Sequence, residues 1–343
     1  MDESSPSGVS FFTFGDDGFF HDPFGEPCVL IGTVEFSTFC HQLDASFESP
    51  LGRKLIYAAT DAEERLLSGH PSVQFGRWFG KSKAKKRLRQ RAIEMGWGGL
   101  EDDHIISPAH DAMTVGFSLA HHEHLDGQRA HVEWNQSSAD FIRLRFSSKG
   151  ETITPAPAPH RLPWFGADHD GGASGHLDVD LDSRAMGFFK GEERSFFLST
   201  QVFWHLFGSL LGRPLSNDFT SQFHLKIDEN FEHPNAFHAV VHSACLAFEA
   251  NQRPVYVQSP TDWDGHFHER ITERGFGIVR VEQSILAGEE VSIFSIKSPV
   301  APVAVGLLVG MWQRAHGAVA DVRVEGAVNT VRVYLSFRRV DYV

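Results

Sequence analysis

RAIEMGWG at residues 91–98 and RITERGFG at residues 270–277 are two versions of one phrase. Each opens on Arg, crosses a charged helical turn and stops at Gly-aromatic-Gly, where glycine permits the positive φ of a tight reversal. The phrase has matching company on both sides. Residues 35–55, EFSTFCHQLDASFESPLGRKL, match residues 197–215, FLSTQVFWHLFGSLLGRPL, in a Ser-Thr start, a helical stretch and a closing Leu-Gly-Arg. Residues 139–146, ADFIRLRF, match residues 329–337, NTVRVYLSF. Three blocks in one order, at offsets of about 160, 179 and 190 residues, point to a duplicated plan with insertions in the second copy.

A chain of 343 residues suits two modules of roughly 150 residues each. The expected boundaries are a Phe/Gly-rich arm over residues 1–26, a first module over 27–150, a linker over 151–190 and a second module over 191–343. TITPAPAP at 152–159 and the Gly-rich residues 168–175 mark the linker, stiff first and loose afterwards. Helical spacing of apolar residues begins at Phe36, Phe39, Cys40, Leu43 and Phe47 and returns over 55–67, 197–211 and 236–248. Residues 301–315 read as a small-residue helix. Extended pieces are expected at 114–120, 129–146, 278–286 and 291–296, with a closing hairpin, 319–325 and 330–337, turning at Gly326. On this reading the first copy lacks the 301–315 helix. The expected class is α+β: two tandem modules, each a small antiparallel sheet packed with helices, forming a pseudo-dimer.

A net charge of −13 excludes general nucleic-acid binding, because a phosphate backbone is repelled. Three cysteines, Cys28, Cys40 and Cys245, exclude a disulfide scaffold and a four-cysteine zinc site, and fit a reducing cytoplasm. The N-terminal residues carry no basic stretch ahead of an apolar run, unlike a signal peptide. The most apolar stretch, residues 300–311, is too short to span a bilayer. Phe supplies 30 residues against 4 Tyr, a bias toward deep cores, apolar pockets or partner surfaces.

The order of blocks resembles the 4-vinyl reductase domain, a family related to subunits of vesicle-tethering transport particles, in two tandem copies. The resemblance rests on Pro27-Cys28-Val29-Leu30-Ile31 before a helix closing at Leu51-Gly52-Arg53, and on the turns Gly96-Trp97-Gly98 and Gly275-Phe276-Gly277. It rests also on SIKSPVAPVAVGLLVGMWQRAHG at 295–317 ahead of a hairpin. It implies a small-residue helix beside an apolar ligand cavity, with Gly306 and Gly310 in the matching places. It further implies binding of small hydrophobic molecules, or a sensory or scaffolding role. The family's zinc-binding members use a cysteine cluster near this end, and the hairpin here has none.

The expected pocket is lined by Phe203, Phe207, Phe248, Phe294, Gly306, Leu307, Gly310 and Trp312. Metal ligation by zinc or haem has its best candidates in His238, His242 and Cys245, which share one face of a helix; an amphipathic packing helix is the plainer reading of the same spacing. His121, His122, Glu123 and His124, with Asp168, His169, Asp170, His266, His268 and Glu269, form a looser candidate set. Seven basic residues in 81–91 make an amphipathic basic helix whose Lys83, Lys86, Arg87 and Arg91 suit an acidic partner. No Walker loop, GxSxG elbow, dinucleotide GxGxxG or HExxH occurs, which leans away from an enzyme. The expectation is a cytoplasmic, non-catalytic binding or sensing protein for a small apolar ligand, whose arm or basic helix contacts a protein partner or a second copy. A ligand-free structural subunit of a larger assembly and a metal or haem protein are the alternatives.

Overall fold

The computed structural model describes residues 12–74, 80–154, 156–159, 175–176, 179, 181–184, 186–221, 223–228, 231–327 and 330–338. Within them the chain is mixed α+β, with eight α-helices and three largely antiparallel sheets. The helices are α1 (Thr33–Ala45), α2 (Lys54–Gly69), α3 (Gly80–Glu94), α4 (Asp111–Asp126), α5 (Thr200–Gly208), α6 (Pro234–Ala250), α7 (Asp262–Arg270) and α8 (Ala301–His316).

Strand Pro27–Gly32 runs straight into α1, and strand Glu193–Ser199 runs straight into α5. Pro27–Gly32 is apolar and buried beyond its first residue, and Glu193–Ser199 is buried from Ser195 onward around its apolar run Phe196–Leu198, as strands covered on both faces are. They pair with each other, antiparallel, from Ser195↔Gly32 to Ser199↔Cys28, at the centre of a seven-stranded sheet. Strands Thr13–Phe14 and Phe20–His21 extend it on one side, and Gly187–Lys190 and Asp182–Arg184 on the other. The described part of the arm therefore docks on its own body: the Phe12 ring stacks on Phe197 at 3.8 Å, and Phe19 and Phe20 are buried.

From these strands onward one order of elements occurs twice, with one extra strand, His224–Ile227, between the first two helices of the second half: two helices, a third helix, a Gly-aromatic-Gly turn, two short strands, a long buried helix and a hairpin. The helices cross over, α1 packing on α6 and α5 on α2. The turns are built alike. Gly96 and Gly98 have φ of +74° and +108°, and Gly275 and Gly277 have +77° and +99°. Trp97 N donates to Ala92 O at 2.9 Å and Phe276 N to Ile271 O at 3.0 Å. Each turn also leans on the central strand of the opposite half. Trp97 Nε1 donates to Phe197 O at 2.7 Å and Arg274 Nε donates to Leu30 O at 3.1 Å, and Phe197 and Leu30 are register partners.

Three expectations need correction. Residues 114–120 belong to α4, so the first half does carry a long buried helix before its hairpin. Its run Met113–Ala120 is buried all round, so it lacks the amphipathic stripe that distinguishes helix from strand. A left-handed Gly127, φ +72°, closes it. The closing hairpin, Ala320–Ala327 with Thr330–Phe337, pairs out to Ala327↔Thr330, so Gly326 sits inside the ladder opposite Val331 rather than at its turn. Part of the stretch expected as linker is sheet, at Gly187–Lys190 and Asp182–Arg184. One buried apolar cluster joins residues from both halves, including Phe36, Phe196 and Phe203.

Candidate functional site

Among the described residues, the expected pocket residues fall into separate packing groups. Phe203 and Phe207 lie in α5, where Phe203 meets Phe36 and Phe39 edge-on at 6.2 Å. Phe294 packs against Trp263 and Phe267, and Trp312 against His316 and Phe337. The space beside the two glycines is occupied by α6. A Cβ on Gly306 would strike the carbonyl of Val241 and lie 2.6 Å from Ala244 Cβ, and one on Gly310 would lie 2.7 Å from Phe248 Cδ1. The glycines serve close helix approach, not a ligand. Gly116 does the same in α4, facing Ile56 O and Ala59 Cβ.

The metal reading of α6 loses its third ligand. Cys245 Sγ lies against Glu249 Oε1 at 3.9 Å and Gln313 Nε2 at 3.7 Å, and burial pushes its thiol pKa well up. His238 and His242 sit edge-on to Phe219 at 5.1 and 5.0 Å. Among the described residues no group of three or more His, Cys, Asp or Glu is arranged to hold a metal ion. In the looser set, residues 121–124 lie in α4 and 266–269 in α7, while 168–170 fall outside the described residues.

Burial holds His110, His205, His238 and His242 at about 4, below their ordinary 6.5. Their neutral forms favour the folded state, so their contribution is full above pH 6.5 and is lost as the pH falls toward 4. The urea midpoint should therefore drop between pH 6.5 and 4, less steeply in His242→Leu; a midpoint flat across that range contradicts it.

The basic helix α3 is largely neutralised by its own fold. Lys81 pairs with Asp126, Lys85 with Asp102, Arg87 with Glu94 and Arg89 with Glu101. Of the four residues expected to face a partner, Arg87 and Arg91 are spent on internal pairs; Lys83 and Lys86 are exposed. Arg91 is 1% exposed and joins Asp22 Oδ2 at 2.6 Å and Glu63 Oε1 at 2.9 Å, and His121 Nε2 lies 3.1 Å from the same Glu63 oxygen. Burial works to raise the Glu63 pKa, but the Arg91 charge and the His121 hydrogen bond overcome it and hold the carboxyl at about 2.

The corresponding arginine of the second half, Arg270, is also buried but lines a cleft. Arg270, like Arg91, stands six residues before the aromatic of its turn. Around it lies a cleft at the seam of the halves, floored by Leu30 and Ser195 from the two central strands and by Phe248 and Leu307 from α6 and α8. Its rim is charged. Arg274 Nη2 pairs with Glu35 Oε2 at 2.6 Å, Arg253 pairs with Glu193, and Lys190 Nζ reaches Glu273 Oε2 at 3.5 Å. Only Phe248 and Leu307 of the expected pocket line this cleft. The arginines escaped the sequence reading although two of them, Arg270 and Arg274, stand in the quoted phrase RITERGFG; their counterparts Arg91 and Met95 are buried, which hides the difference between the copies.

Compared with family models, with curated proteins and with solved structures, the chain finds no match. Among the described residues no helix is long and apolar enough to cross a membrane.

Proposed function

We propose that this chain is a non-catalytic binding or sensing protein, built as an internal pseudo-dimer of two modules resembling the 4-vinyl reductase domain, which holds a small molecule in the cleft at the seam. The pseudo-dimer reading draws support from the repeated order of elements and the matched turns. It draws more from one pair of hydrogen bonds, Ala130 N to Glu123 Oε1 and Ala320 N to Gln313 Oε1, which tie each long helix to its hairpin alike. The observation that carries the binding reading is the cleft itself, which takes its floor from both halves and has both charged and apolar walls. The ligand expected from sequence was apolar; the rim argues for one with a polar end as well.

The filled glycine face of α8 favours a second reading, a ligand-free structural subunit. Native mass spectrometry of the purified full chain separates the two. A co-purifying small molecule, lost on denaturation, is the expected result. A ligand-free mass locked in a stable oligomer would leave the structural subunit as the account.

A further inference from the structure

Resting on that cleft reading, we infer that the seam cleft is a carboxylate-binding site, with Arg270 as its anion-gripping residue and Phe248 and Leu307 as the wall for an apolar tail. The two halves treat one buried arginine differently. In α4, Gly116 faces Ile56 O and Ala59 Cβ; in α8, Gly306 faces Val241 O and Ala244 Cβ. Ile56 and Val241 are therefore equivalent places on α2 and α6. Seven residues further along each helix stand Glu63 and Phe248. The first half thus puts a carboxylate beside its buried arginine, and the second half puts a phenyl ring there.

The consequence is a cation without a counter-ion. Arg270 is 7% exposed, and among the described residues no carboxylate lies within ion-pair distance of it. Its Nη2 donates to Pro254 O at 3.0 Å, while its buried Nε has no partner. A second guanidinium repeats the pattern: Arg314 donates to Glu249 O at 2.7 Å and Arg253 O at 2.9 Å, both backbone acceptors. The two flank the Phe248 ring, with Cζ atoms 5.5 and 5.4 Å from its centroid. The cleft lining carries four cations, Lys190, Arg253, Arg270 and Arg274. Four carboxylates face them, Glu35, Glu193, Glu269 and Glu273. Three of these carboxylates are already paired, Glu35 with Arg274, Glu193 with Arg253 and Glu273 with Lys190, so among the described residues Arg270 is the cation of the lining left without an ion pair.

Burial bears on Arg270 directly, lowering its pKa, with Arg253, Arg274 and Arg314 adding to the effect and Glu269 opposing it. An arginine remains charged through such a shift, so the desolvation cost persists until an anion arrives. A carboxylate suits the planar guanidinium, which can offer two parallel N–H donors. The same place in the first half already uses this chemistry, Arg91 donating to both oxygens of Glu63 from Nε and Nη2. The ligand carboxylate would stand in for that missing side chain. Its tail would then lie along Phe248 and Leu307, toward Leu30.

The test is a titration of the full-length protein, at fixed ionic strength, with octanoate, octan-1-ol and inorganic phosphate. It follows the thermal midpoint and the binding heat for wild type, Arg270→Met, Arg270→Lys and Arg314→Met. Octanoate should raise the wild-type midpoint, with octanol and phosphate much weaker. Arg270→Met should weaken octanoate binding by about tenfold or more, the loss expected for a charge-assisted hydrogen bond, and Arg270→Lys should restore part of it. Should Arg270→Met fail to fold, Arg270→Lys and Arg314→Met each still predict a measurable loss. Equal binding of octanol overturns the carboxylate inference while leaving a ligand cleft. Phosphate binding in place of octanoate overturns the choice of carboxylate. No binding of any probe overturns the inference, and the co-purification experiment then decides separately whether the cleft is a binding site at all.

Discussion

Arg91→Met lowers stability at neutral pH by about 3–5 kcal/mol, the usual cost of breaking a buried ion pair from one side. The substitution keeps volume and apolar stem but leaves Asp22 and Glu63 facing each other, with side chains 0% and 2% exposed. Asp22 is fixed in place because it also accepts from Phe24 N at 2.8 Å and Glu26 N at 3.0 Å, so it cannot turn away to water. The pH dependence of the loss is the sharper signature. In the wild type Glu63 is held at about 2, below the unfolded value near 4.5, so its contribution is full above 4.5 and is lost as the pH falls toward 2. Without Arg91 burial dominates, the folded pKa rises above the unfolded one, and protonation favours the folded state. The stability gap between variant and wild type should therefore narrow as the pH falls from 7 to 4. Denaturant unfolding at a series of pH values measures this, and a gap that stays constant or widens would falsify the ion-pair account.

Gly306→Leu and Gly116→Leu are each expected to destabilise by about 3 kcal/mol, the upper end of the cost of overpacking a filled core. The obstacles are backbone carbonyls, Val241 O and Ile56 O, which cannot rotate aside as a side chain can. Gly306→Ala is the finer probe. Helix propensity favours Ala by roughly 0.8–1.0 kcal/mol, whereas the Cβ lies 2.6 Å from Ala244 Cβ and must push α6 and α8 apart. A net loss is expected. A more stable Gly306→Ala protein would mean that the helices have room to spare, and would reopen a cavity beside α8.

How much was legible beforehand depended on whether a residue's role was local. The phrase ending in Gly-aromatic-Gly was readable because positive φ is a property of single residues, and Gly96, Gly98, Gly275 and Gly277 all adopt it. The helices with a polar face were readable for the same reason. Helix α4 was not, because burial on every side leaves no period to detect. The candidate site was least readable. Phe248 and Leu307 were expected at a ligand, but as part of a wholly apolar pocket. The difference between a paired buried arginine and an unpaired one lies in what faces it, Glu63 against Phe248, and that pairing belongs to helix packing rather than to spacing along the chain.

The central pairing of Pro27–Gly32 with Glu193–Ser199 also governs how the molecule comes into being. A chain leaving the ribosome completes residues 27–152 while the strand that must lie beside Pro27–Gly32 is still unmade. Until it arrives, an apolar strand edge and the face of α2 that α5 will cover stand open to water and to other chains. The joining contact spans nearly half of the sequence, and such distant closure makes for slow folding. The vulnerable interval is thus written into the topology: it begins when the first half can collapse and ends only when a strand some 160 residues later reaches the sheet.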